Sequence, residues 1–294
     1  MDDVLKLWSG LGYYSRARNL HRGAQVVVDR FHGVIPDTPE LILEVPGIGP
    51  YTAGAILSIA FQKPVALVDG NVARVLSRMQ LIDGGWRKSV PRAALWKSAG
   101  QLAAACATAR LRPGDLNQAM MELGATVCTP RSPDCPRCPV SAHCLAFKHG
   151  KQVQYPQIDK KSEVPRWRLR AWIIRDVRGK MLFAQRQHEG LFGGLWEAPT
   201  EKRLTRKTEG EPPVLGRIKH VLSHRELDIQ ICSGEHAENC GTAGAYTCWS
   251  GNYIGFKWLT PELAMKGNDI ALSSVQKKVL AIVLKTSICK SQKA

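Results

Sequence analysis

The sequence predicts a mainly α-helical N-terminal domain followed by a smaller α+β domain, and three observations support this prediction. Apolar residues recur at helical spacing through roughly the first 150 residues. Four cysteines then fall within residues 128–144. After a polar stretch broken by prolines, apolar residues begin to alternate as they do in half-buried strands. We therefore expect one domain over residues 1–150, a linker over 151–167 and a second domain over 168–290.

Composition suggests a polyanionic partner. The 294 residues include 41 Lys and Arg against 25 Asp and Glu, a formal net charge of +16. A basic soluble protein without such a partner is the alternative that charge alone leaves open. No signal peptide or long apolar run is evident, so we expect a cytoplasmic monomer, nucleoid-associated if bacterial, with no membrane partner. In a reducing compartment, the nine cysteines indicate metal binding rather than disulfides.

The most informative stretch reads Val-Pro-Gly-Ile-Gly-Pro-Tyr over residues 45–51. Gly47 and Gly49 allow backbone N–H groups to converge on one point, as a phosphate-binding concavity requires. A short helix starting near Asp37 precedes the turn, and Pro50 suits the first position of the helix that follows. The second helix has a predicted buried face of Ala53, Ile56, Leu57 and Ala60. The pattern predicts a helix, a hairpin and a second helix, with a phosphate cradle at the tip.

The remaining helices of the first domain are predicted from apolar spacing. Their predicted buried faces are, in chain order, Val4, Leu7, Trp8 and Leu11; Ala17, Leu20, Ala24 and Val27; and Val72, Val75, Leu76 and Met79. An alanine-rich helix is expected over residues 92–107. Another is expected over residues 115–124, with Gly124 at its C-terminal end.

The second domain is predicted to mix strands and helices. Residues 171–174 and 181–184 are expected to form a β-hairpin. Leu227, Ile229 and Ile231 alternate like one face of a strand, residues 256–259 suggest another strand, and a helix is expected to begin near Ser274. The second half therefore reads as α+β.

Four cysteines form the pattern C-x6-C-x2-C-x5-C: Cys128, Cys135, Cys138 and Cys144. Four thiolates in one proline-rich loop can hold an iron–sulfur cluster or a tetrahedral zinc ion. Zinc sites more often contain two C-x2-C pairs, and only one is present, so zinc is the less usual reading of this pattern, although the residues alone leave both open. The other cysteines are expected to be ordinary thiols: Cys106, Cys232, Cys240, Cys248 and Cys289.

These motifs together resemble the adenine DNA glycosylases of the helix-hairpin-helix superfamily, which remove adenine mispaired with 8-oxoguanine. The resemblance rests on the Pro-Gly-Ile-Gly hairpin, on the segment Leu-Trp-Ser-Gly-Leu-Gly-Tyr-Tyr-Ser-Arg-Ala-Arg-Asn-Leu over residues 7–20, and on Gly-Gly-Leu-Trp-Glu-Ala-Pro over residues 193–199. It implies a glycosylase domain with one [4Fe–4S] cluster in the loop 128–144 and a Nudix-like C-terminal domain. It also implies a double-stranded DNA partner containing A:8-oxoguanine or A:G mispairs.

The resemblance assigns catalytic roles near one helix start. Cleaving an N-glycosidic bond passes through an oxocarbenium-like state, which calls for an acid and a nearby carboxylate. The Val-Asp-Gly-Asn motif makes Asp69 that carboxylate, supported by Asn71, although Asp69 could also serve only as an N-cap. Tyr51 stands where endonuclease III-like relatives place a lysine, so the chain fits a monofunctional glycosylase. A simple aromatic helix start is the alternative for Tyr51.

Two further groups are implied to contact DNA. Tyr13 is the expected wedge beside 8-oxoguanine, with Arg16 and Arg18 holding phosphate, unless the aromatic pair merely packs. Ser223 and His224 resemble a Phe-Ser-His loop that inspects 8-oxoguanine, with a leucine in place of the aromatic residue. A plain turn is the alternative. The second half contains no Glu-rich Nudix box, so no pyrophosphohydrolase activity is expected.

One departure from the family bears on activity. Family members carry several dozen residues before the Leu-Trp-x-Gly-Leu-Gly-Tyr-Tyr segment, including the Glu that protonates the leaving base, and neither Glu40 nor Glu44 occupies that motif. One hypothesis is an adenine glycosylase whose recorded start is misplaced. The second is a short form that binds lesion DNA without efficient cleavage. An endonuclease III-like lyase is a third, disfavoured by Tyr51 and by the second domain.

Overall fold

The structure, a computed structural model, describes residues 1–157, 163–202, 212–234 and 253–291. Contacts divide the chain into two compact units: Arg22–Lys161, called here the hairpin unit, and Met1–His21 with Ser162–Ala294, called the sheet unit. The predicted domain boundary differs from this division, because the first 21 residues group with the second half. Residues 158–162 of the predicted linker, and Cys240 and Cys248, lie outside the described residues.

The hairpin unit is built from helices, as predicted. They are α2 (Tyr14–Phe31, which begins in the sheet unit), α3 (Pro39–Ile42), α4 (Pro50–Ile59), α5 (Gly70–Gln80), α6 (Ser89–Thr108), α7 (Pro113–Thr126) and α8 (Leu145–Lys148). Single 3₁₀ turns occur at Cys135–Arg137, Ser141–His143 and Gln152–Gln154. Among the described residues, no helix is both long and apolar enough to cross a bilayer.

Helix α5 lies at the centre of this unit. Val72, Val75 and Leu76 are buried, as their spacing predicts. The helix begins at the Asp69 cap and ends where Leu81 adopts a left-handed backbone. Because α5 packs against α6, α7 and α8, the residues at its N-terminal end are held from several sides.

The described residues of the sheet unit form two sheets and three helices, besides the start of α2. Its elements are α1 (Asp2–Leu7), β1 (Arg166–Ile173), β2 (Met181–Arg186), β3 (Trp196–Glu197), β4 (Thr200–Lys202), β5 (Val214–Leu222), β6 (Arg225–Ser233), β7 (Tyr253–Leu259), α9 (Pro261–Lys266) and α10 (Ser274–Ser291). One sheet has the order β4-β1-β6-β5 and the other β3-β2-β7, with β1 parallel to β6 and the other pairs antiparallel. Apolar residues from both sheets and from α9 and α10 share one core. The predicted strands around Ile229 and residues 256–259, and the helix at Ser274, are confirmed.

The predicted β-hairpin over residues 171–174 and 181–184 is wrong. Both segments are strands, but β1 pairs with β4 and β6 while β2 pairs with β3 and β7. The two segments are joined locally by an isolated bridge between Arg175 and Met181 and by a 3.0 Å hydrogen bond from the Leu182 N–H to the Ile174 carbonyl, which do not extend into a ladder. Residues 181–185 are all buried, so β2 is a central strand whose two edges are both occupied. A short turn therefore connects two sheets instead of two arms of one hairpin.

The predicted buried faces of the first two helices are partly wrong. Helix α1 ends at Leu7, which is 88% exposed, and it buries Leu5 instead. In α2, Ala17 is buried as predicted, but Leu20 is 63% exposed. The hairpin-side contact of α2 is made by Gly23, where a Cβ would lie 2.9 Å from the Pro46 carbonyl oxygen. Backbone proximity, which apolar periodicity does not report, selects this face.

The described part of the predicted linker is anchored. The hydroxyl of Tyr155 donates to Asp83 Oδ1 at 2.8 Å, and its carbonyl accepts from Arg78 Nε at 2.9 Å. Strand β1 already begins at Arg166, inside the predicted linker. The first part of the linker therefore belongs to the hairpin unit.

Candidate active site and nucleic-acid interface

Asp69 caps helix α5 and remains partly exposed. Its Oδ1 accepts a 2.7 Å hydrogen bond from the Val72 backbone N–H, which satisfies one free donor of the first helical turn. Its Oδ2 accepts a longer bond, 3.3 Å, from Asn71 Nδ2. The first helical turn contains no other acidic residue. One oxygen is thus fixed by the helix, while the other is available for a second role.

Asn71 is oriented by Arg74, one turn along the same helix. Arg74 Nη2 donates to Asn71 Oδ1 at 2.9 Å and to the Gly124 carbonyl at 2.6 Å, and its Nε donates to the Cys128 carbonyl at 2.7 Å. Burial, and secondarily the positive charge of Arg78, lower the pKa of Arg74, but a guanidinium stays charged. Since the amide oxygen of Asn71 is engaged, its N–H₂ group is directed at Asp69.

The second arginine, Arg78, is 2% exposed and binds the start of the cysteine loop. Its guanidinium donates to the carbonyls of Cys128, Thr129 and Pro130 and to the Cys128 sulfur, which lies 3.2 Å from Nη1. Arg74 and Arg78 lie four residues apart, so both project from one side of α5. The capping end of the helix and the cysteine loop are therefore joined by charge-assisted hydrogen bonds.

The four predicted metal ligands, Cys128, Cys135, Cys138 and Cys144, line one cavity together with Arg78. Burial, followed by the neighbouring thiols, raises the pKa of Cys135 above its ordinary value. Among the described residues, no three His, Cys, Asp or Glu side chains converge as a single metal ion requires. The four cysteines thus share one cavity.

The hairpin has the geometry that its two glycines predict. Gly47 has a φ of 89°, in the left-handed region that favours glycine, and Gly49 is the N-cap of α4. A Cβ on Gly49 would meet nothing within 4 Å, so the backbone there is open to a ligand. Tyr51 is half-exposed, and its hydroxyl lies 3.5 Å from the sulfur of Met121 on α7. The hairpin thus presents unobstructed backbone beside an aromatic side chain.

The predicted readers of the lesion base line one groove of the sheet unit, with a volume of about 560 Å³. Leu222 and Arg225 are paired in β5 and β6, so Ser223 and His224 form the two-residue tip of a β-hairpin. Their side chains are exposed, with 3.3 Å between Ser223 Oγ and His224 Nδ1. Tyr13, 65% exposed, lines the same groove. No carboxylate lines it among the described residues, which suits a polyanion.

The neighbours of Tyr13 have mixed roles. Tyr14 is buried, and its hydroxyl donates to the Leu272 carbonyl, so this half of the aromatic pair packs. The guanidinium of Arg18 lines the groove but donates to the Gly193 carbonyl at 2.8 Å. Arg16 is exposed and lies over the Trp8 ring, 5.6 Å from its centroid. Of the two predicted phosphate contacts, Arg16 is thus the more accessible.

A titratable group also lines the groove. Lys278 Nζ lies 3.2 Å from His220 Nδ1 and donates to it, which requires a neutral imidazole. Burial, followed by the positive charge of Lys278, lowers the pKa of His220. Histidine 220 is therefore held as a neutral acceptor within an otherwise basic groove.

The carboxylate of Glu197, in the Gly-Gly-Leu-Trp-Glu segment, is held by contacts within the sheet unit. It pairs with Arg186 Nη2 at 2.8 Å and accepts from the Tyr253 hydroxyl at 2.7 Å. Burial and the charge of Glu197 raise the pKa of Tyr253, so its hydroxyl stays protonated as a donor. The charge of this carboxylate is balanced by Arg186 inside the sheet unit.

Sequence reasoning missed several residues at these sites. Arg74 and Arg78 were identifiable only as two arginines four residues apart in helix α5. Nothing in the local pattern marked His220, since its partner Lys278 is distant in sequence. Phe192 also lines the groove, yet the sequence suggested only its glycine neighbours. All of them depend on long-range contacts.

Comparisons with known proteins agree with this geometry. A NUDIX domain model matches residues 170–281, and a helix-hairpin-helix motif model matches residues 30–59. The adenine DNA glycosylase of Homo sapiens is 33% identical over an alignment that covers 96% of this chain and 60% of the human protein. That of Arabidopsis thaliana is 40% identical, covering 67% of this chain and 32% of its own length. That of Buchnera aphidicola subsp. Baizongia pistaciae is 32% identical, covering 78% and 66%.

The chain spans between about a third and two thirds of the length of these curated relatives. The predicted fold class, a helix-hairpin-helix domain with a Nudix-like C-terminal domain, is confirmed. The chain belongs to the adenine DNA glycosylase family.

Proposed function

We propose that this protein is a monofunctional DNA glycosylase that hydrolyses the N-glycosidic bond of adenine mispaired with 8-oxoguanine or guanine. The observation that carries the proposal is the partly exposed Asp69, which caps α5 and lies beside Asn71, whose amide Arg74 orients. The similarity to adenine DNA glycosylases over most of the chain supports the choice of adenine as the base removed.

Asp69 has a defined task in this reaction. Leaving of the base places positive charge on the sugar ring, and a carboxylate oxygen beside C1′ stabilises that charge. Oδ1 is held by the helix N-terminus, so Oδ2 is the oxygen available to face the sugar. The Asn71 amide donates to Oδ2 and so orients the carboxylate.

Tyr51 supports hydrolysis over lyase chemistry. A lyase needs an amine at the hairpin helix to attack the sugar and form a Schiff base, and a phenol cannot do so. Water is then the nucleophile, and the product strand keeps an abasic site. We expect strand breaks only after alkali or heat.

The proposed DNA contacts follow from charge and shape. Open backbone at Gly49 suits a phosphate, and the groove around Tyr13, Ser223 and His224 combines cations, hydroxyls and aromatic rings. A hydroxyl can accept from the protonated N7 of 8-oxoguanine, which guanine lacks. DNA with A:8-oxoguanine or A:G mispairs is therefore the proposed substrate, bound by a cytoplasmic monomer.

We further propose one [4Fe–4S] cluster in the cysteine loop. Thiolates around a single zinc ion lie only about 3.8 Å apart, because each Zn–S bond is about 2.3 Å. Four cysteines that line a cavity without converging on one point suit a polynuclear cluster better. Arg78 Nη1, 3.2 Å from the Cys128 sulfur, supplies positive charge to a thiolate cluster. Bound there, the cluster would cross-link the loop.

A second candidate function is lesion binding without efficient cleavage. Glycosidic cleavage also needs a proton donor for the leaving base. Glu44 forms an ion pair with Arg30, and Glu40 lies in the short helix α3. Neither is joined to Asp69 by a contact among the described residues. The rate of adenine release distinguishes the two candidates.

The direct test incubates the full chain in excess with a duplex that contains one A:8-oxoguanine pair. We expect free adenine and an abasic strand that breaks only after alkali. Strand scission without alkali would overturn the monofunctional assignment. Tight, lesion-selective binding without adenine release would establish the second candidate, and equal binding to undamaged duplex would overturn both.

A further inference from the structure

Two aromatic residues with unusual backbones line the same groove. Tyr13 has a φ of 47° and Phe192 a φ of 59°, and they are the only Tyr, Phe or Trp residues with positive φ in the described part of the chain. A bulky side chain in this region is strained, and such strain persists where surrounding contacts impose it, often at ligand sites. Both side chains line the groove that contains Ser223 and His224.

The loop that carries Phe192 is held from both sides. Gly193 lies so close to His188 that a Cβ would be 2.4 Å from its carbonyl oxygen. The Gly193 carbonyl accepts from Arg18, and the Leu195 N–H donates to the Phe192 carbonyl at 3.0 Å. The loop therefore fixes the strained backbone before any ligand arrives.

The tip of the β5–β6 hairpin, Ser223 and His224, contains no Phe, Tyr or Trp. Leu222 packs against the core of the sheet unit, while Val221 is 72% exposed. The tip thus presents a hydroxyl, an imidazole and small aliphatic surface to the groove. Stacking on a nucleobase requires a flat face, and besides the small imidazole of His224, Tyr13 and Phe192 can supply a larger one at this groove.

We infer that Phe192 is a specificity-determining residue whose ring stacks on the lesion base that Ser223 and His224 read. The inference rests on the proposed function, because it takes damaged DNA as the ligand of this groove. Phe192 is partly buried and packs against the core, so its exposed part is presented with little loss of side-chain entropy on binding. Stacking contributes only when the base is engaged by the hairpin tip, so it favours lesion DNA over undamaged duplex.

The test compares binding of the full chain to two duplexes of the same sequence. One contains 8-oxoguanine opposite a 2′-fluorinated deoxyadenosine, which resists cleavage, and the other is fully paired and undamaged. F192L should lower the ratio of lesion to undamaged affinity about tenfold, because one base–aromatic stack is lost. F192Y and F192W should retain the ratio within about twofold, since each keeps a flat ring. V177A, at an exposed turn of the same unit, is the control.

The possible outcomes test the role of Phe192 and the proposed function separately. An unchanged ratio in F192L, with discrimination intact in the parent chain, overturns the inference while leaving the proposed function standing. Equal losses on both duplexes together with a lower melting temperature would mean that Phe192 only supports the fold, which also overturns it. A parent chain that does not prefer the lesion duplex refutes the proposed function, and the role of Phe192 falls with it.

Discussion

The two carboxylate oxygens of Asp69 have different surroundings, and this difference separates its two possible roles. Oδ1 accepts the short bond from the Val72 N–H, whereas Oδ2 accepts only the longer bond from Asn71. Helix capping therefore engages one oxygen, and charge stabilisation at the sugar would use the other. An asparagine caps a helix about as well as an aspartate but carries no charge.

Substitutions at Asp69 should therefore separate the contribution of the helix cap to stability from the contribution of the negative charge. We expect D69N to keep the melting temperature of the parent, and D69A to lower stability by about 1 kcal/mol through loss of the cap. Thermal and urea unfolding measure both. D115N, at an exposed position in the first turn of α7, is the matched control. A large drop in the stability of D69N would show that its charge, rather than its capping geometry, holds the helix.

His220 gives the sheet unit a pH-dependent contribution to stability. Its folded pKa lies below the ordinary value of about 6.5, because of burial and of Lys278. The unfolded chain then takes up a proton more readily than the folded one. Stability is complete above the unfolded pKa and is lost as pH falls from about 6.5 through the lower folded pKa.

We accordingly expect the parent chain to lose more melting temperature than H220Q between pH 7.5 and pH 5.5. Differential scanning calorimetry at both pH values measures the difference. The exposed His224, substituted by Gln, should behave like the parent. Identical pH dependence in H220Q and parent would contradict the assigned environment of His220.

At the scale of the elements, helices α5 and α7 are in close contact beside Asn71. A Cβ on Gly124 would lie 2.6 Å from the Asn71 Cβ and 2.9 Å from its carbonyl oxygen. Only a glycine allows the Asn71 backbone to lie against α7 at this distance. The position of Asn71, and through it the bond to Asp69, depends on that approach.

A pair of glycine substitutions tests this packing. G124A should destabilise the chain by about 1–3 kcal/mol, because α7 must move away from α5. G100A, inside helix α6 with nothing within 4 Å of the added Cβ, should stabilise by about 0.5–1 kcal/mol through helix propensity. Urea unfolding gives both values. Equal effects of the two substitutions would contradict the close contact.

The cysteine loop yields a compositional prediction at the same scale. Purified without air, the parent chain should contain about four iron and four sulfide per molecule, as a [4Fe–4S] cluster requires. C138S should lose most of both, whereas C106S, at a buried cysteine in α6, should retain them. Iron, sulfide and zinc analysis distinguishes the outcomes. One zinc per chain with no sulfide would contradict the cluster.

The helices and the sheet pairing differ in how far the sequence predicts them. Local spacing identifies α5 and its cap, because Val72, Leu76 and Asp69 act within one or two turns. The predicted pairing of β1 with β2 is wrong because each strand pairs instead with strands that follow later in the sequence. The full burial of residues 181–185 also cannot be recognised from a period-two pattern. The arginine links and the strained Phe192 depend on the same kind of long-range contact. Motif residues were predictable, whereas the residues that orient them were not.

At the scale of the whole molecule, one side of α2 is apolar and exposed. Leu20, Ala24 and Val28 are four residues apart, so they lie along one side of the helix, and all three are exposed. Exposed contiguous apolar surface promotes association. Two residues of the predicted buried face, Leu20 and Ala24, are thus exposed, whereas Ala17 is buried.

We therefore expect the recombinant chain to be poorly soluble and to aggregate on heating. L20Q with V28Q should raise the soluble fraction, while V177Q, at an isolated exposed valine, should not. Centrifugation and light scattering measure both variants against the parent. A parent chain that stays monomeric and melts sharply at high temperature would contradict this expectation.

The net charge of +16, the open hairpin and a groove lined by no carboxylate among the described residues each suit a DNA ligand, and Asp69 is the group proposed to act on it. Free adenine released in a single turnover from an A:8-oxoguanine duplex, measured for the parent chain and for D69N, tests this most directly. The account predicts release by the parent and a rate at least about 100-fold lower in D69N, whose fold is retained. Equal rates in the two proteins, or no release by either, would contradict it.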